Sequence, residues 1–222
     1  MPAGLTIYND SGTVQIDESW RNYGFKQRIP ASISVNVPGS VPAGYNGQPY
    51  SMTVSGEDVL IACRAETLLP VLMHTYADGG SWTYNWLFMP PFIGATYSET
   101  VEFYVFDLLP MGGFSNVGLE VFNAAGQRVF HSDADMMKVR GIQGCDTGFS
   151  GVGGRSYVPL IARNPIYGVN MGFPTGNRLW SHCLRVSGSS IVTETRQLGS
   201  FGALGAYSNA GAYAAIDVTG LS

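Results

Sequence analysis

The chain has 222 residues, 45% of them hydrophobic and 13% charged, with a formal net charge of −4. Ample core material with so little charge excludes a disordered chain. Lysine occurs only at 26 and 138 and no basic run exists, which excludes a broad nucleic-acid surface.

No apolar stretch reaches the roughly 18–20 residues of a spanning helix, so no membrane span is expected. The N-terminus lacks a positive segment followed by an apolar one, so no signal peptide is expected, and Met1 is expected to be held in place. Cysteines at 63, 145 and 183 are odd in number and widely spaced, which gives neither a disulfide framework nor a zinc site. Synthesis in a reducing cytosol fits that usage.

Residues 4–17 read as a β-hairpin: an apolar run at Leu5, Ile7 and Tyr8, then Asn9 and Gly12, then a second short run. Asn bonds its own backbone in the turn and Gly supplies positive φ. Ile33, Val35 and Val37 alternate with polar residues, as in a half-buried strand. Residues 38–49 hold three prolines and three glycines and read as a surface loop, followed by a short strand at 51–55. Residues 57–75 could form a helix capped by Ser55, but Pro70 interrupts it, so strand is the expectation. Trp82, Tyr84 and Trp86 alternate on one face and read as core. Residues 87–93 read as an apolar loop stiffened by Pro90 and Pro91, and 100–108 as a β-prone closing strand.

At residue 118 the opening pattern returns. Residues 118–131 align with 4–17 without a gap, with Gly4/Gly118, Leu5/Leu119, Asn9/Asn123 and Gly12/Gly126 identical. The match continues from 18–27 into 132–141 and recurs more weakly. Residues 59–64 resemble 159–163 with one residue of slippage, Trp82 matches Trp180, and 104–108 matches 214–218. The ordered series predicts an all-β protein of two similar β-sandwich-like modules from an internal duplication, at 1–112 and 113–222. Within the second module, 144–154 holds five glycines in eleven residues, 180–186 and 191–195 flank a hairpin turn, and 197–215 reads as a long loop or arm.

Chemical motifs are few. Gly148 to Ser156 departs from a phosphate loop, with Phe149 and Arg155 where Gly and Lys are required, and no Gly-x-Ser-x-Gly elbow is present. His74, His131 and His182 lie far apart, and adjacent His182 and Cys183 point to opposite faces of a strand. Asp17, Asp107 and Asp217 stand at strand ends, where turn capping is the default role. No catalytic residue, cofactor or metal is therefore expected. The apolar cluster Phe88, Met89, Phe92 and Ile93 is the expected partner-binding site.

The run from Met1 to Ser19, followed by a strand and repeated at 118–140, resembles the opening of small β-rich proteins encoded among the tail-tip and tail-fibre genes of long-tailed, siphovirus-like bacteriophages. The resemblance implies a virion structural protein of the distal tail, a homo-oligomer partnered by other tail proteins such as the tail-tip hub or central fibre. It carries over no catalytic or ligand residue. The alternative is a receptor- or carbohydrate-binding module for host attachment, using the aromatic loops on a host glycan or receptor. A hydrolase acting on cell envelope is the third reading.

Overall fold

The computed structural model describes residues 6–8, 14–17, 21–36, 47–92, 94–110, 112–115, 117–163, 166–170, 177–201 and 211–221. For 6–8, 14–17, 167–170, 177–179 and 199–201 it describes the backbone alone. Every regular element among them is a strand. The first half forms β1 (Thr6–Tyr8), β2 (Val14–Asp17), β3 (Tyr23–Asn36), β4 (Gln48–Ser55), β5 (Leu60–Arg64), β6 (Leu69–Asp78), β7 (Ser81–Met89) and β8 (Thr96–Leu108). The second forms β9 (Glu120–Phe122), β10 (Arg128–His131), β11 (Lys138–Gly144), β12 (Phe149–Ser150), β13 (Tyr157–Arg163), β14 (Ile166–Asn170), β15 (Asn177–Ser187), β16 (Ser190–Phe201) and β17 (Ala212–Asp217).

Proline placement follows the ladder rule. Pro30, Pro49, Pro70 and Pro159 all lie inside strands, and β3, β4, β6 and β13 are each the edge of their sheet. An edge tolerates a missing N–H donor where a central strand does not. Turns are set by glycine: Gly79 and Gly80, both at positive φ, close the β6–β7 hairpin, and Gly188 at φ 59° closes β15–β16.

Sheets β3-β8-β5 and β4-β7-β6 enclose one core, built on Ile33, Val35, Trp86, Phe88, Phe103 and Val105. Sheets β11-β17-β13 and β12-β16-β15-β14 enclose another, around Tyr157, Leu184, Ile191 and Tyr213. Two further clusters draw on both halves. Tyr104 and Phe106, on the opposite face of β8 from Phe103 and Val105, pack with Val158, Leu160 and Ile216. Leu69, Val71, Leu87 and Met89 pack with Cys183 and Leu198. A strand buried on both faces reads as a continuous apolar run, which is how 103–106 reads.

The halves share one strand plan. The order β3-β8-β5 recurs as β11-β17-β13, and β4-β7-β6 as β12-β16-β15, with β14 added at one edge. The hairpins agree residue by residue at a constant offset of 114, the separation of Gly4 and Gly118: Thr6↔Asp17 becomes Glu120↔His131, Ile7↔Ile16 becomes Val121↔Phe130, and Tyr8↔Val14 becomes Phe122↔Arg128. At the same offset a one-residue bulge occurs at Lys26 in β3 and at Arg140 in β11. Equivalent segments also touch one another, β5 beside β13 and β6 beside β15. The amide of Met137 donates to the carbonyl of its equivalent, Tyr23, at 2.9 Å.

Four expectations are corrected. Residues 87–89 are strand, because β7 is central and its backbone bonds β4 and β6 on either side; the loop begins at Pro90. Trp82 and Trp180 lie on non-equivalent strands, since the turn at 79–80 precedes Trp82 whereas the turn at 188–189 follows Trp180. Residues 197–201 extend β16 rather than opening a loop. Arg64 and Arg163 do occupy equivalent rungs, opposite Glu102 and Ala212, but a bulge at Ala162 shifts the rest, so Leu60 corresponds to Val158, not Leu160. Met1, Val37 and residues 38–46 lie outside the described residues.

Candidate functional site

Of the predicted contact cluster, Phe88 and Met89 are fully covered by the protein's own core, Phe92 is 72% exposed, and Ile93 lies outside the described residues. Only Phe92 among the described members is exposed. Its loop is anchored from the second half, where the Arg196 guanidinium donates to the Pro91 carbonyl at 2.9 Å and pairs with Glu194. Trp82, Tyr84 and Trp86 face the first core as their spacing predicts.

The strand-ending aspartates cap turns and also anchor cations. Asp107 accepts the amides of Asp58 and Leu108 through Oδ1 and the Lys26 ammonium through Oδ2 at 2.9 Å. Asp217, at the equivalent rung, accepts the amide of Thr219 and the guanidinium groups of Arg140 and Arg155, at 3.1 and 2.6 Å. Burial alone would raise the Asp217 carboxyl, but the Thr219, Arg155 and Arg140 bonds outweigh it and hold it at about 2. In both halves the cation that closes the pair stands on the bulge of β3 or β11, which turns its side chain toward the strand end.

A cleft of about 480 Å³ opens where the halves meet. Its first-half wall is charged. Arg28 pairs with Glu102 at 3.4 Å, the Tyr104 hydroxyl donates to Glu102 at 3.1 Å, and Arg64 pairs with Glu66 at 2.7 Å. Glu99 is committed to the backbone, accepting the amides of Glu66, Thr67 and Leu68. Val218 and Leu221 close it from the second half. Burial and the Glu102 carboxylate push the Tyr104 phenol up, so it stays a neutral donor. No spacing marks these residues out in sequence, because β3, β5, β8 and the C-terminal turn contribute them separately.

Other groups lack the geometry of a reactive site. The thiols of Cys63, Cys145 and Cys183 are all buried, and burial pushes each one up, Cys145 and Cys183 to about 12. His131 is fully buried, stacked on Phe114 at 4.4 Å, with Nδ1 accepting the amide of Asp133 and Nε2 3.1 Å from Glu120. Nδ1 is thus engaged by a backbone amide, and the Ser115 hydroxyl bonds Asp133 rather than the imidazole. His74 stacks on Tyr76, and His182 bonds Thr195. No group of three His, Cys, Asp or Glu among the described residues is placed to hold a metal.

Among the described residues, exposed large apolar side chains concentrate in the second half, at Val117, Leu119, Phe122, Val139, Ile142 and Val152, against Tyr76 and Phe92 in the first. Val139 and Ile142 stand on β11, an edge strand paired with β17 alone among the described residues, and Ile142 is 73% exposed. No protein family, curated protein or solved structure matches the chain.

Proposed function

We propose that this protein is a structural subunit that works by assembly, through addition of a neighbouring protein's extended segment to the free edge of β11. The observation that carries the reading is Ile142, with Val139 beside it, exposed on a strand whose outer backbone groups have no ladder partner among the described residues. An open apolar edge is a template for strand pairing unless a partner covers it. Charge selects that partner. Arg140 and Arg155 gather there around one buried carboxylate, and Lys138 stands on the same strand, so an apolar segment bearing acidic side chains fits. A second copy docked edge to edge would bring like cations together. The resemblance of the opening residues to distal tail proteins of long-tailed bacteriophages agrees with an assembly role, in a tail tip or beside a fibre.

The test is particle mass by light scattering, alone and mixed with the neighbouring tail proteins, for wild type and Ile142→Lys. The reading expects a complex with wild type and its loss in the variant, at an unchanged melting temperature. A variant that still assembles overturns it, and a wild type that forms only its own dimers replaces the acidic partner with a second copy.

A further inference from the structure

We propose that the cleft between the halves is a binding site for a neutral saccharide. The proposal stands on a different surface from the assembly edge and does not depend on it. It begins from the second half as an internal control. On the rungs equivalent to Arg28, Tyr104 and Glu102 the second half carries Ile142, Ala214 and Ala212, paired in the same register. The strand plan forms with aliphatic residues there, so Arg28, Tyr104 and Glu102 are not a requirement of the fold; Arg64 alone has a like counterpart, Arg163.

The chemistry of the ladder then indicates the ligand. Arg28 and Arg64 offer donors, Glu66 and Glu102 offer acceptors, and each cation already stands against a carboxylate. Glu99 contributes nothing further, because both its oxygens serve the backbone of the 66–68 turn. An anion would meet Glu66 and Glu102, and a cation would meet Arg28 and Arg64. A sugar hydroxyl both donates and accepts, so a vicinal pair can bridge a guanidinium and its carboxylate without an uncompensated charge. Val218 and Leu221, both largely buried, form the floor on the second-half side, so recognition rests on the hydroxyl contacts. The volume of about 480 Å³ is within the range of small-ligand sites, and Arg28, Arg64 and Glu102 stand on strands, which limits the ordering cost of binding.

The test is a two-dimensional amide NMR titration of the full chain with maltose, lactose, cellobiose and diacetylchitobiose, and with digalacturonate and the glucosamine dimer as charged comparators. The proposal expects saturable shifts at residues 64–66, 99–104 and 218–221 with at least one neutral disaccharide. It expects affinity to fall about tenfold or more in Glu102→Ala and in Arg28→Ile. Arg28→Ile installs the second half's own residue on a solvent-facing rung, so it reports on binding even if Glu102→Ala unfolds. Absence of saturable shifts, shifts confined to other residues, preference for a charged dimer, or full affinity in both variants would each overturn the site.

Discussion

Arg28 and Ile142 hold the same rung of the same bulged strand, one in a charged ladder and the other bare to solvent. The contrast separates what the strand plan requires from what each surface adds. Shared between the halves are the hairpin register, the bulge, the cation on it and the aspartate that closes the sheet. Those features fix backbone geometry, and they recur with the side chains around them changed. Outward faces differ: the first half is polar beside the cleft, and the second is apolar along its edge. Function is therefore to be sought where the halves differ.

The largest effect separates core from rim where β7 runs into its loop. Phe88→Ala should cost about 3–5 kcal/mol in denaturant unfolding, since a fully buried ring is removed from the first core. Phe92→Ser, four residues away and largely exposed, should stay within about 0.5 kcal/mol. Equal costs would erase the boundary drawn at Pro90.

Next come the equivalent aspartates. Asp217 sits at about 2, below the ordinary carboxylate range, so its bonds contribute stability at neutral pH. That contribution should be lost as pH falls from about 4 to about 2, and is worth about 2 kcal/mol at most given its half-exposed arginines. Melting curves of Asp217→Asn should be flatter over that window than wild type. Asp107→Asn should show a smaller change of the same sign, because one lysine rather than two arginines faces it. A reversed order would mean that backbone capping, not the cations, dominates the node.

The smallest effect belongs to the exposed rung. Arg28→Ile should alter stability by less than about 1 kcal/mol, the range of solvent-exposed ion pairs. A cost of several kcal/mol would show that the charged ladder is structural after all.

The fold was legible where side-chain period and turn chemistry coincide. Leu5, Asn9 and Gly12 against Leu119, Asn123 and Gly126 carried the hairpins into register, and Ile33 and Val35 declared their buried face by alternation. It failed where a strand is buried on both sides. Leu87, Phe88 and Met89 form an apolar run that sequence cannot distinguish from an exposed loop, because the packing partners come from 48–50, 69–71 and the second half. The cleft was illegible for a similar reason. Arg28, Arg64 and Glu102 are ordinary surface residues in sequence and become neighbours only when β8 pairs β3 on one side and β5 on the other.

Hydrogen exchange, compared between the isolated protein and its assembled form, tests most directly whether the two halves present different surfaces. The account predicts new protection in 138–144 of β11, whose outward amides gain a strand partner, and no change in 27–36 of the equivalent β3. Protection gained equally in both strands, or in β3 alone, would contradict it.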